Sequence, residues 1–106
     1  MDRPELLEKL QQIAGTITER HKEVSAIHLF GSVARGDHTG LSDVDILIVL
    51  RQSDQSPVER IRSFFPYFDL PVGVDLVVYT EEELKRMEEL SNPFLERVNR
   101  EGMRLA

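Results

Sequence analysis

"GSVARGDHTGLSDVDILIV" runs from Gly31 to Val49. It reads as a glycine turn, a single helical turn, a flexible polar loop and then a strand that opens on acidic residues. From Val44 onward "DVDILIVL" (43–50) is apolar on both faces, the pattern of a strand inside a sheet. Side chains alternate between the two faces of a strand. Asp43 and Asp45 therefore share a face with Leu47 and Val49, while Val44, Ile46 and Ile48 face the other way. Two carboxylates side by side at the mouth of a buried strand repel each other and gain nothing from burial. Whatever neutralises them bears on what the protein does.

Outward from this stretch the elements follow in order. "VSAIHLF" (Val24–Phe30) reads as a first strand that delivers the chain to Gly31. Before it, Leu6, Leu10, Ile13, Ala14 and Ile17 recur at helical spacing, which predicts an amphipathic helix ending near His21. Downstream, Ser56 as N-cap, Pro57 at the first helical position and Glu59 reaching back form a capping-box signature. The helix it opens is expected to carry Val58, Ile61, Phe65 and Phe68 on one side and to be interrupted by Pro66. "VGVDLVVY" (72–79) is a third strand, and "TEEE" (80–83) a second capping box that opens a helix with Leu84 and Met87. Asn92-Pro93 starts the last helix, and "GMRLA" (102–106) adds a short closing strand. Helices and strands in this order predict an α/β (α+β) fold, helices packed against a mixed sheet.

Composition narrows the class. At 106 residues the chain suits one domain, residues 1–106. No apolar run reaches membrane-spanning length, and "MDRPELLEKL" is too charged for a signal peptide. There are no cysteines, so disulfides and thiolate metal sites are excluded. These features are compatible with a soluble cytoplasmic protein that engages no membrane. Nineteen acidic against thirteen basic side chains give a net charge of −6, which disfavours tracking a nucleic-acid backbone.

In the third strand Asp75 shares its face with Gly73, Val77 and Tyr79. If the second and third strands are neighbours, Asp43, Asp45 and Asp75 converge on one sheet edge. At ~4 Å each like-charged pair costs about 4 kcal/mol at an effective dielectric near 20. Hard divalent cations, Mg²⁺ or Mn²⁺, would relieve that repulsion. Two such ions can clamp the attacking and leaving oxygens of a phosphoryl or nucleotidyl displacement. Alone, an Asp-x-Asp pair is more often a solvated strand end, and a single Asp75 a satisfied acid.

Gly31-Ser32 changes that balance. A glycine between strand and helical turn lets the backbone approach a ligand. Ser32 adds a hydroxyl donor, and Arg35 one turn on offers a fork for phosphate or for a carboxylate partner. The spacing Gly31 to Gly36 is not a P-loop, because Asp37 and His38 stand where Lys and Ser/Thr are required. His38 is expected in solvent, His21 and His28 give no zinc spacing, and Phe64, Phe65, Tyr67 and Phe68 cannot all face one way, so part of that cluster is expected to be exposed.

Gly31-Ser32, ten intervening residues and Asp43-x-Asp45 resemble the signature of the DNA polymerase β-like nucleotidyltransferases. "GSVARGDHTGLSDVDILI" is similar, more narrowly, to the minimal nucleotidyltransferase (MNT) group, the antitoxin partners of HEPN-domain toxins. "VDLVV" (74–78) matches the looser third motif. The resemblance implies the polymerase-β-like nucleotidyltransferase fold and two Mg²⁺ ions, Asp43 and Asp45 holding both and Asp75 one. It also implies that Asp75 takes the proton of an attacking hydroxyl and that Gly31 and Ser32 hold the triphosphate tail, with Arg35 clamping phosphate. The implied reaction transfers AMP from ATP, or another nucleoside monophosphate, to a tyrosine hydroxyl of a HEPN toxin. Larger relatives carry a second domain over the nucleotide, so a partner is expected to complete this site. Two other readings stay open: a non-catalytic antitoxin acting by steric occlusion, and transfer to a small molecule as in aminoglycoside-modifying relatives.

Overall fold

The computed structural model describes residues 1–39 and 43–106. Helix α1 (Arg3–Arg20) is capped by Asp2, whose carboxylate accepts from the Glu5 N–H at 2.9 Å. It buries Leu6, Leu10, Ile13, Ala14 and Ile17, the stripe predicted from their spacing. Strand β1 (Val24–Phe30) runs directly into the short helix α2 (Gly31–Arg35), and β2 covers Val44–Leu50. Part of the loop expected between α2 and β2, residues 40–42, lies outside the described residues. Helix α3 (Pro57–Phe64) continues as one 3-10 turn (Phe65–Tyr67) before β3 (Val74–Thr80), α4 (Glu81–Glu89), α5 (Pro93–Glu101) and β4 (Met103–Arg104).

The four described strands form one sheet in the order β3-β2-β1-β4. β1 pairs antiparallel with β2 and with β4, while β2 and β3 are parallel, joined by α3. The sheet is therefore mixed, with β2 in its interior. Alternation along β2 builds two cores. Val44, Ile46 and Ile48 face a large cluster with the α1 stripe, Ile27, Leu29, Phe64 and Phe68. Leu47 and Val49 face a smaller one with Phe30, Val98, Tyr79 and Phe94. Each fully buried Leu, Ile or Phe contributes about 1.5–3 kcal/mol.

The inward face of α3 differs from the expected one. Val58 is 58 % exposed and Phe65 47 %, whereas Arg60, Phe64 and Phe68 are buried and Ile61 half-buried. Pro66 lies in the 3-10 turn, whose tighter winding shifts the register, so Phe64 and Phe68 rather than Phe65 reach the core. The Ser56 hydroxyl caps α3 at the Glu59 N–H (3.3 Å), and the reciprocal capping box is complete at Thr80–Glu83. Among the described residues no helix is long and apolar enough to cross a membrane.

Candidate active site

The sheet topology brings three chain ends together. β1 runs antiparallel to β2, so its last residue, Phe30, pairs with Asp45. β3 runs parallel to β2, so its second residue, Asp75, pairs with the same Asp45. The exit of β1 and the entries of β2 and β3 thus share one end of the sheet. Asp45 and Asp75 lie side by side there, and Asp43 precedes β2 next to Gly73, whose carbonyl accepts from the Val44 N–H at 2.9 Å.

Two glycines make room for these carboxylates. Gly31 has φ +76°, a conformation that favours glycine, and a Cβ there would collide with Asp45 Oδ2 and lie 3.0 Å from its Cγ. A Cβ on Gly73 would collide with Asp43 Oδ1 in the same way. Asp43 thus leans toward β3 and Asp45 toward α2. Burial raises the Asp45 pKa, the charges of Asp75 and then Asp43 raise it further, and Arg97 and Arg35 oppose them.

Helix α2 is held on two sides. At its C-terminal end Arg3 donates from Nε to Val33 O (2.9 Å) and from Nη2 to Ala34 O (3.2 Å), and Gly36 closes it at φ +85°. On the other side Arg35 donates from Nε to Asp37 Oδ2 (3.1 Å) and from Nη1 to Glu101 Oε2 (2.9 Å). Arg35 is therefore the carboxylate-paired arginine of the two alternatives that its position allowed. Its link to Glu101 ties α2 to the end of α5. Ser32 is half-buried in the first turn of α2.

A family model described as "Nucleotidyltransferase domain" matches residues 10–104. The chain belongs to the nucleotidyltransferase domain family. Among solved structures, a candidate nucleotidyltransferase from Sulfolobus solfataricus is 26 % identical, with a TM-score of 0.67 over 79 % of this chain and 75 % of that one. A toxin–antitoxin structure with AMP-PNP is 20 % identical, with a TM-score of 0.57 over 94 % of this chain and 72 % of that one, a likeness of fold. No curated protein matches the sequence. The mixed sheet with flanking helices is the nucleotidyltransferase fold expected from the sequence.

In this nucleotidyltransferase domain Asp43, Asp45 and Asp75 fit a hard divalent cation in kind: all are carboxylates, on one face, with a repulsion that raises the Asp45 pKa. Among the described residues, however, no group of three or more His, Asp or Glu side chains is arranged to hold a metal ion.

Two site neighbours escaped the sequence reading. Arg97 of α5 stacks its guanidinium over Phe30 at 5.4 Å and acts electrostatically on Asp45, and Glu101 pairs with Arg35. Nothing in their surroundings along the chain marks them, since both sit on an amphipathic helix otherwise rich in charge. His38, expected in solvent, is half-buried instead. Among the described residues its Nδ1 has no hydrogen-bond partner, and it lines a cavity of about 400 Å³ with Leu6, Val33 and Val72. Leu6, Val33 and Val72 belong to the large core, so that cavity lies on the sheet face opposite the carboxylates. His21 bonds Glu23 through Nδ1 and the Tyr67 hydroxyl through Nε2, both at 2.9 Å.

Proposed function

We propose that this chain is a divalent-metal-dependent nucleotidyltransferase that moves AMP from ATP to a tyrosine hydroxyl of a HEPN-type toxin, and so acts as its antitoxin. The observation that carries this reading is the pairing of Asp45 with Asp75 beside a glycine turn held open over the Asp45 carboxylate. Asp43, Asp45 and Asp75 are the residues that would hold two Mg²⁺ ions, with Mn²⁺ as a substitute. When bound, such ions neutralise the carboxylates and the phosphate oxygens and clamp attacking and leaving groups. The Gly31 backbone and the Ser32 hydroxyl would hold the triphosphate, and Arg35, one turn on, would neutralise it in exchange for its carboxylate partners. Asp75, which is exposed and beside Asp45, would accept the proton of the attacking hydroxyl; its exposure leaves it open to an incoming acceptor. The hydroxyl oxygen bonds to the α-phosphorus, the bond to the β-phosphate oxygen breaks, and pyrophosphate leaves. Positioning dominates such a reaction. A toxin seated at this end of the sheet would bring the acceptor to the site. The toxin–antitoxin structure with AMP-PNP supports both halves of the reading, a nucleotide and a protein partner.

Intact-mass spectrometry of the protein encoded beside this one, after incubation with the chain, ATP and Mg²⁺, tests the proposal. The expected result is addition of AMP to the partner, absent with Asp43→Ala. Binding and inhibition without a mass change, equal for Asp43→Ala, would overturn it in favour of steric occlusion.

A further inference from the structure

Glu101 sits where three potential phosphate partners meet. Its Oε2 accepts from Arg35 Nη1 at 2.9 Å, and Arg97 Nε stands 3.6 Å from its Oε1. The Gly31 backbone N–H stabilises the same carboxylate. The arginine side chains are 41 % and 48 % exposed and the Glu101 side chain only 11 %, so the acid lies inside and the cations face outward. Among the described residues its Oε1 is buried without a hydrogen bond, the Arg97 contact being too long for one. Gly102 fixes this position. Its N–H donates to Val98 O at 2.8 Å, and a Cβ there would meet Val98 O and lie 3.4 Å from Leu29 O, so the end of α5 is pressed against β1.

We propose that Glu101 is a positioning residue that holds Arg35 and Arg97 beside the carboxylate site and competes with a nucleotide's phosphates for them. This inference rests on the nucleotide-binding reading above. Arg97 becomes a second phosphate-facing cation, braced on the Phe30 ring, and Glu101 the internal anion that a polyphosphate must displace. Apparent affinity falls by the fraction of molecules in which the binding groups are already engaged. Removing the internal anion raises that affinity, whereas removing one of the arginines lowers it.

Calorimetric titration of ATP with Mg²⁺, and separately of adenosine, into the wild type, Glu101→Gln and Arg97→Gln tests this. Glu101→Gln is expected to bind ATP about threefold to tenfold more tightly, the scale of a partly exposed charge pair, with adenosine affinity unchanged. Arg97→Gln, a change on the exposed side of α5, is expected to weaken ATP by a similar factor and to leave adenosine alone. A purely structural brace would make Glu101→Gln bind ATP more weakly as its melting temperature falls. That result overturns the inference, as does unchanged ATP affinity in either variant. If wild type binds ATP without tightening in Glu101→Gln, the inference alone fails. If neither binds ATP, the nucleotide reading falls and the inference with it.

Discussion

Gly31 and Gly73 each face a carboxylate oxygen, yet replacing them has different consequences. At Gly31 an alanine must take a left-handed conformation, which costs about 1–2 kcal/mol, and must also push Asp45 aside. Gly31→Ala is expected to lower stability by that amount in denaturant unfolding and to abolish nucleotide binding. Gly73 has no such backbone constraint, and the atom in the way is the end of the Asp43 side chain, which can swing. Gly73→Ala should therefore unfold within about 0.5 kcal/mol of wild type while losing much of its response to Mg²⁺. A Gly73→Ala protein with a wild-type Mg²⁺ response would remove Asp43 from the metal site. Gly31, Ser32, Asp43 and Asp45 were legible in the sequence because they lie in one contiguous stretch whose chemistry is local. Arg97 and Glu101 were not. Arg35 and Glu101 are 66 residues apart, and only the docking of α5 on β1 brings them together.

Among the elements, α3 is where periodicity misled: beside the 3-10 turn that ends it, a buried charge takes a place in its inward face. Arg60 occupies a core-facing position of α3, donating to Gln55 O (3.1 Å), Val78 O (3.4 Å) and Glu83 Oε1 (2.6 Å). An apolar stripe drawn from sequence has no place for a buried arginine whose partner is the capping glutamate of another helix. Burial alone would raise the Glu83 pKa, but the Thr80 N–H and then Arg60 outweigh it and hold the carboxyl below its ordinary value. A lowered pKa means that this contact contributes stability above the unfolded-state pKa and loses it as pH falls through the folded value. Glu83→Ala also leaves the guanidinium unpaired, so a loss of about 3 kcal/mol is expected in urea unfolding at pH 7, with a flatter dependence on acid pH. Arg60→Met combined with Glu83→Gln should recover most of it, because the buried charge is then gone. The Thr80–Glu83 capping box, the Ser56 hydroxyl cap and α1 were legible for the opposite reason: hydroxyl caps and apolar stripes are decided within a few residues.

At the scale of the whole molecule, the site exists because β2 is antiparallel to β1 and parallel to β3. That combination puts the exit of one strand and the entries of two others at one end of the sheet. The sequence carried the strands and the facing of their aspartates, but their adjacency depends on the crossover through α3, which no local pattern encodes. Helix α5 then closes one side of the site with Arg97 and Glu101, while the cavity of about 400 Å³ lies across the sheet. The chain carries a net charge of −6, and at this end Asp75 and Asp43 raise the Asp45 pKa while Arg97 and Arg35 lower it. A raised Asp45 pKa means that the fold favours the protonated form: the associated stability is full below the unfolded-state pKa and is lost as pH rises through the folded one. At pH 7 the Asp45 charge therefore opposes folding, and Asp45→Asn should be as stable as wild type or more so, by up to about 1 kcal/mol. Thermal melting of wild type and Asp45→Asn at pH 7, with and without Mg²⁺ and AMP-PNP, tests the central claim most directly. The account predicts that apo Asp45→Asn melts at or above wild type. It also predicts that ligand at a hundredfold excess over its Kd raises wild type by roughly 10 °C and the variant hardly at all. Equal ligand-induced shifts in both proteins, or an apo variant that melts well below wild type, would contradict it.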